Sequence, residues 1–201
     1  QRRFIADAAH ELRSPLTALS VQAQNLRKAD SLDAMRERFS PLQAGIERAR
    51  QLTEQLLNLA RIQAGSSTES IVDIPALARE LIADYLPAAE AKGIDLGLDE
   101  GARFSLQAAS ESLRLIIGNA LENAVEYTLL GGEVTLRLGT DGEMAVIDVV
   151  DNGPGIPPDE CGRVFDAFYR IAGTHEPGSG LGLAIAREAA TRLGGEVSLK
   201  N

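Results

Sequence analysis

The chain has 201 residues, 44% of them hydrophobic and 24% charged, and a formal net charge of −9. This describes a soluble globular chain of one or two domains with a sizeable core, and excludes an intrinsically disordered one. The acidic balance speaks against nucleic acid, which needs clustered Lys and Arg. The lone Cys161 rules out a disulfide framework, and no run reaches the ~18 apolar residues that cross a bilayer.

Residues 1–28 read as the first helix. The apolar period is in force from Phe4 with no cap before it, so the chain reads as a piece of something longer. At about 100° per residue, Phe4, Ile5, Ala8, Leu12, Leu16, Leu19, Ala23 and Leu26 form one apolar stripe. His10 lies on the opposite, wet side, with Ser14 on its face and Asp7 and Glu11 nearby. A neutral imidazole with an exposed nitrogen is a nucleophile near neutral pH, and Glu11 can hold its tautomer or accept its proton. Pro15 cannot donate to the carbonyl of Glu11 and predicts a bend just beyond the histidine.

After a turn near Asp30 comes a second helical period: Leu32, Met35, Phe39, Leu42, Ile46, Ala49, Leu52, Leu56, Leu59 and Ile62. Two long helices on so short a turn lie antiparallel. Because a hairpin alone cannot bury both stripes, two hairpins pairing as a four-helix bundle make the chain a homodimer. Pro41 predicts a kink or a local break in the second helix. AGSSTES reads as a linker, so the expected organisation is a hairpin over 1–64, a linker over 65–70 and a second domain over 71–201.

In the second domain strands are expected at 71–74, 94–98, 103–107, 133–138 and 144–150, with a turn at 139–142. Helices are expected from Pro75 to 92, over 111–127 and over 181–193, and a further strand starts at 196–199. Strands and helices sharing one core give a two-layer α/β sandwich.

Three constellations here point to one ligand class. Asn119 and Asn123 share a helix face, Tyr127 lies one turn on, and amide oxygens are hard ligands suited to Mg²⁺ beside phosphate. DNGPGIP follows a strand, where Asp151 can accept from an exocyclic amine and Gly153 and Gly155 allow a flat ring to approach the backbone. GSGLGL opens a helix whose free N–H groups favour phosphate. There is no GxxxxGK[ST], so the chain is not a P-loop protein.

The string HELRSPL resembles the phosphoacceptor box of sensor histidine kinases of two-component systems, and the second half resembles the Bergerat-type ATPase domain of histidine kinases, gyrase, Hsp90 and MutL. NALENAVEYT is similar to the N box, DNGPGIP and GSGLGLAIA to the glycine boxes, and FDAFYR to the F box. The resemblance implies His10 as phosphoacceptor, Glu11 as its proton acceptor or orienter, and Ser14 beside them. It implies ATP and Mg²⁺ as cofactors, with Asn123 and Asn119 on the metal, Tyr127 packing near adenine and Asp151 reading it. Gly153, Gly155, Gly178, Gly180, Leu181 and Gly182 then line the nucleotide, and Arg163 and Arg170 contact phosphate. The implied partner is a response regulator receiver domain, with Glu11 and Ser14 also positioning water to dephosphorylate it. The implied location is the cytoplasmic portion of an inner-membrane sensor.

Two features depart from that pattern. Glu126 stands where such kinases usually carry Lys or Arg, which predicts weakened ATP binding, and the chain stops before a further strand pair. The alternatives are a GHKL-type ATPase clamp, which has no use for the histidine box, and a kinase-deficient dimeric scaffold or phosphatase, which Glu126 motivates. His175 and Cys161 lack the neighbours of metal or thiol chemistry and read as structural or solvent residues.

Overall fold

The structure, a computed structural model, describes residues 2–64, 68–171 and 178–200, the side chains of 2–11, 13, 14, 63 and 64 excepted. Two compact units emerge, Gln1–Ala60 and Arg61–Asn201.

The first unit is built from helix α1 (Arg2–Arg27) and most of helix α2 (Leu32–Ala64). Ser31 Oγ accepts from the Ala34 amide at 3.1 Å and so starts α2, while Arg38 Nη1 donates to the Asn25 carbonyl at 2.8 Å and covers the end of α1. Those two contacts fold the helices back on each other. Gly45 of α2 lies in close contact with α1: a Cβ there would stand 2.7 Å from Gln22 Oε1 and 2.9 Å from Leu19 Cδ2. Both Pro15 and Pro41 lie inside uninterrupted helices, so the expected break at Pro41 does not occur. A helix of 33 residues absorbs one missing N–H when its other backbone bonds are made. Leu16, Val21, Met35, Phe39 and Ile46 stay 45–56% exposed on this hairpin.

In the second unit, strand β1 (Ser70–Asp73) leads directly into helix α3 (Ile74–Ala91). Asp73 caps the helix by accepting from the Ala76 amide at 3.1 Å, and Pro75 suits the first turn, where an N–H has no partner anyway. Strands β2 (Asp95–Asp99) and β3 (Ser105–Ala108) follow, then helix α4 (Ser110–Tyr127), strands β4 (Glu133–Asp141) and β5 (Met144–Asp151), and helix α5 (Gly182–Arg192). β1 pairs antiparallel with β3, while β2, β4 and β5 make a three-stranded sheet with β2 parallel and β5 antiparallel to the central β4.

Period two along β4 turns Val134, Leu136 and Leu138 inward, each at most 2% exposed. Against them pack Leu77 and Leu81 of α3 and Leu113, Ile117, Leu121 and Val125 of α4, a helix layer on a sheet layer. The β4–β5 turn differs from expectation: the ladder runs on through Gly139, and the two-residue loop is Gly142–Glu143. Of the glycines there only Gly142 has the positive φ, +60°, that a tight hairpin asks of its first central residue. The strand expected at 196–199 does not form, because 195–200 enters no ladder with any described strand.

Candidate functional site

Helix α4 spends its inner face on Leu113, Ile117, Leu121 and Val125, which leaves Asn119 and Asn123 on the flank toward α5. Asn119 is only 8% exposed. Its Nδ2 donates to the Leu115 carbonyl at 2.7 Å, and Asn123 Nδ2 donates to the Asn119 carbonyl at 2.9 Å. Each amide thereby ties one of its two N–H donors to the helix and keeps its oxygen as acceptor. A Cβ at Gly182, the first residue of α5, would stand 2.9 Å from Asn119 Oδ1 and 3.6 Å from Asn123 Nδ2. The fully buried Leu181 starts that helix with no side-chain cap of its own, and its amide donates to Ser179 Oγ at 3.1 Å. The Asn119 oxygen, the Asn123 amide, a concavity only glycine leaves and the N-terminus of α5 therefore meet at one place, a set that fits a cation carrying phosphate.

Asp151 ends β5 opposite Val134. Its Oδ1 accepts from the Gly153 amide at 2.9 Å, which fixes the carboxylate at the sheet edge. A Cβ on Gly153 would stand 2.8 Å from that oxygen and 3.3 Å from the Tyr127 carbonyl, so this turn accepts glycine alone. Gly155 has φ +70°. Asn152 locks the turn, its Oδ1 accepting from the Glu133 amide at 2.9 Å. The Tyr127 hydroxyl lies 4.0 Å from where a Gly178 Cβ would be, so Tyr127 spans from the Asp151 turn to the second glycine-rich stretch.

Between these runs a short 3-10 turn, Arg163–Phe165. Arg187 of α5 anchors it: Nη2 donates to the Phe165 carbonyl at 3.0 Å and the guanidinium lies over the Phe165 ring at 5.1 Å. Phe168 has φ 67°, a left-handed conformation costing a non-glycine residue about 1–2 kcal/mol. It is held there by its amide, which donates to the Gly180 carbonyl at 2.9 Å. Arg163 lies over the Tyr169 ring at 4.2 Å and pairs with Glu160 at 3.5 Å, and the Tyr169 hydroxyl donates to the same Glu160 oxygen.

The structure thus gathers Asn119, Asn123, Leu181 and Gly182 in one cluster and Tyr127, Asp151, Gly153 and Gly178 in an adjoining one. Arg163 is occupied by Glu160 and Tyr169, and Arg170 is exposed two residues beyond Phe168. His10, Glu11 and Ser14 lie on α1 with side chains outside the described residues, as does all of His175. Cys161 is part-buried against the Ile156 and Pro157 carbonyls.

Sequence reading missed Lys92, Tyr85 and Glu160. The Lys92 ammonium donates to the Val125 carbonyl at 3.0 Å and to that of Glu126, closing the end of α4. Its position just after α3 gives no hint of this. Partial withdrawal from water, and then the Glu126 carboxylate one turn away, hold the Glu122 carboxyl above its usual range. Burial, with Glu122 second, pushes the Tyr85 phenol up to about 12.

Comparison with known proteins adds to this geometry. Residues 1–65 match a family model described as the His Kinase A (phospho-acceptor) domain. Residues 108–201 match that of the histidine kinase-, DNA gyrase B- and HSP90-like ATPase. The solved mycobacterial sensor histidine kinase MprB is 31% identical, with 63% of this chain and 81% of that one covered and a TM-score of 0.53. This chain belongs to the sensor histidine kinases. Among other histidine kinases it is similar to the sensor protein QseC of Escherichia coli K12, 37% identical over 206 residues covering 100% of this chain and 45% of QseC. The kinase ShkA, solved full-length in complex with AMPPNP, is 27% identical with a TM-score of 0.70, over 100% of this chain and 42% of ShkA. The chain thus spans under half the length of these two, 45% and 42%.

Proposed function

We propose that this histidine kinase chain phosphorylates itself on His10 with ATP and passes the phosphoryl group to an aspartate of a response regulator receiver domain. The observation that carries the reading is the Asn119 oxygen and the Asn123 amide set beside the start of α5, in a chain that also bears HELRSPL. Asn123 and Asn119 would hold Mg²⁺, which would supply positive charge to neutralise the phosphates. Asp151 accepts from the adenine amine, Tyr127 packs beside the ring, and Gly153 and Gly155 leave room for it. Gly178, Gly180, Leu181 and Gly182 present backbone to the phosphates, and Arg170 supplies positive charge.

In the transfer a ring nitrogen of His10 forms a bond to the terminal phosphorus as the bond to the bridging oxygen breaks, releasing ADP. The displaced ring proton goes to Glu11, directly or through water. Ser14 with Glu11 then serves the reverse task of positioning water against the phosphorylated regulator.

The organisation that suits this chemistry is a phosphoacceptor hairpin over 1–64, a linker over 65–70 and a nucleotide domain over 71–201, working as a homodimer on the cytoplasmic side of a membrane sensor. The exposed Leu16, Met35, Phe39 and Ile46 support the dimer.

The test is incubation of the chain with Mg²⁺ and γ-labelled ATP beside His10→Ala. Acid-labile, alkali-stable label on the parent and none on the variant is the expected result. Label on neither, with ATP still bound, would overturn the autokinase reading and favour the scaffold or phosphatase.

A further inference from the structure

Among the described residues Phe168 alone is a non-glycine with positive φ, at 67°. Phenylalanine has no short polar side chain to ease that conformation, so it persists only where surrounding contacts over-determine it. One such contact is its amide, which donates to the Gly180 carbonyl at 2.9 Å. Gly180 is itself left-handed, φ +69°, and a Cβ on it would stand 2.6 Å from the Tyr169 carbonyl oxygen and 2.7 Å from the Phe168 carbonyl carbon. The two stretches thus lie backbone on backbone, and only glycine fits at 180.

The other contacts fasten the turn before Phe168 to helix α5. Within the turn the Asp166 amide donates to the Arg163 carbonyl at 2.8 Å, and the Tyr169 amide to the Asp166 carbonyl at 3.1 Å. From α5, Arg187 Nη2 donates to the Phe165 carbonyl at 3.0 Å, its guanidinium lies 5.1 Å from the Phe165 ring centroid, and it pairs with Asp166 at 3.9 Å. That ion pair is long and exposed and adds little, so the charged hydrogen bond and the ring contact with the buried Phe165 do the fastening. Because Gly180 leads into α5 and Arg187 lies on it, the contacts close a ring through Phe165 and Phe168 back to the start of the same helix.

The ring fixes a peptide orientation. In a trans peptide the carbonyl oxygen and the following N–H point to opposite sides, so the bond from Phe168 sets the whole Gly180–Leu181 unit. Were that peptide turned over, its oxygen would present negative charge beside the start of α5, where Gly182 approaches Asn119.

We propose that Arg187 is a positioning residue for the phosphate-binding turn. By fastening Phe165 and Asp166 to α5 it keeps Phe168 left-handed, and the Phe168 amide then holds the Gly180 carbonyl off the phosphates. This rests on the nucleotide-site reading above. Arg187 acts through Phe168 and touches no nucleotide. With the fastening cut, Phe168 relaxes toward an ordinary φ, and the nucleotide must order the Gly180–Leu181 peptide on binding.

The test is a double-mutant cycle on the whole chain, with calorimetric Kd values for Mg²⁺·ATP and Mg²⁺·ADP well below each variant's melting temperature. Arg187→Met keeps the length of the stem and removes the charge and the donors. It is expected to weaken both nucleotides about three- to tenfold. Phe168→Gly takes the positive φ without strain, so in that background Arg187→Met should change either Kd by less than about twofold. Phe168→Asn repeats the cycle with a side chain that tolerates the left-handed region, should the glycine variant bind too weakly to be read.

Equal losses from Arg187→Met in both backgrounds would show Arg187 acting without Phe168 and overturn the proposal. A lower melting temperature with both Kd values unchanged would make the fastening purely structural and overturn it as well. A parent that bound neither nucleotide would bring down the nucleotide-site reading first, an outcome distinct from equal losses in a parent that binds.

Discussion

Asn123 donates its side-chain Nδ2 to the backbone carbonyl of Asn119, 2.9 Å away and one turn earlier on α4. Asn119 does the same to Leu115. The bond fixes the rotation of the amide by tying one of its two N–H donors to the helix backbone.

Asn123→Ala should therefore separate function from folding. The lost bond is a helical one on a partly exposed flank, worth about 1 kcal/mol of stability. The lost oxygen is a contact to a charged group, worth about 1.5–3 kcal/mol, or roughly ten- to a hundredfold in the Kd for Mg²⁺·ATP. Calorimetric titration with ATP in Mg²⁺ and in EDTA checks it. An unchanged Kd in Mg²⁺ would remove Asn123 from the metal.

Gly182→Ala tests the concavity from the other side. The methyl must push aside the buried Asn119 amide, so the melting temperature should fall modestly, by the equivalent of about 1–3 kcal/mol or less. The new methyl, built 2.9 Å from Asn119 Oδ1, should also weaken nucleotide binding by filling the space between α4 and α5. A variant that is an undiminished binder would show that nothing needs this space.

The stability of the nucleotide domain should carry an acidic group's signature of the unfavourable kind. With the Glu122 carboxyl raised above the ordinary carboxylate range, the folded state binds more protons than the unfolded one just above that range. Stability then falls as pH rises through the interval between the unfolded and folded values, and the penalty is fully present at neutral pH. Glu122→Gln removes it, so denaturant midpoints of parent and variant should converge near pH 4 and separate in favour of the variant by pH 7. Tyr85, pushed to about 12, adds a second decline above pH 10 that Tyr85→Phe abolishes.

Phe39, 54% exposed on a hairpin that also exposes Ile46 and Leu16, is the sensitive point of the dimer proposal. Phe39→Glu should cost at least about 2 kcal/mol of association, raising the dimer dissociation constant roughly thirtyfold or more. Sedimentation equilibrium on parent and variant reads it directly. Identical monomeric behaviour of both would overturn the dimer.

How much of this could be read beforehand depends on the reach of the interactions involved. The helix expected over 111–127 is α4, Ser110–Tyr127, because its apolar period and its asparagine face are local patterns. The β4–β5 turn was displaced to Gly142–Glu143, since four residues rich in glycine leave open which of them must carry positive φ and ladder register makes the choice. The strand at 196–199 has the composition of one but no described neighbour to pair with, and composition cannot supply a neighbour.

The site divides in the same way. Asn119, Asn123, Asp151 and the glycine runs announce themselves, because chemistry with phosphate and a flat ring demands those residue types at close spacing along the chain. By itself the sequence thus determined the element order, the apolar faces and which residues can serve a nucleotide. Only the tertiary structure decided that the Asn119 oxygen faces the start of α5, that Lys92 closes α4 and that Glu160 and Tyr169 pair with Arg163. The physical reason is that a side chain's free valence is whatever its neighbours leave unused. Neighbours that meet through folding, as Lys92 and Val125 do across 33 positions, leave no trace in local pattern.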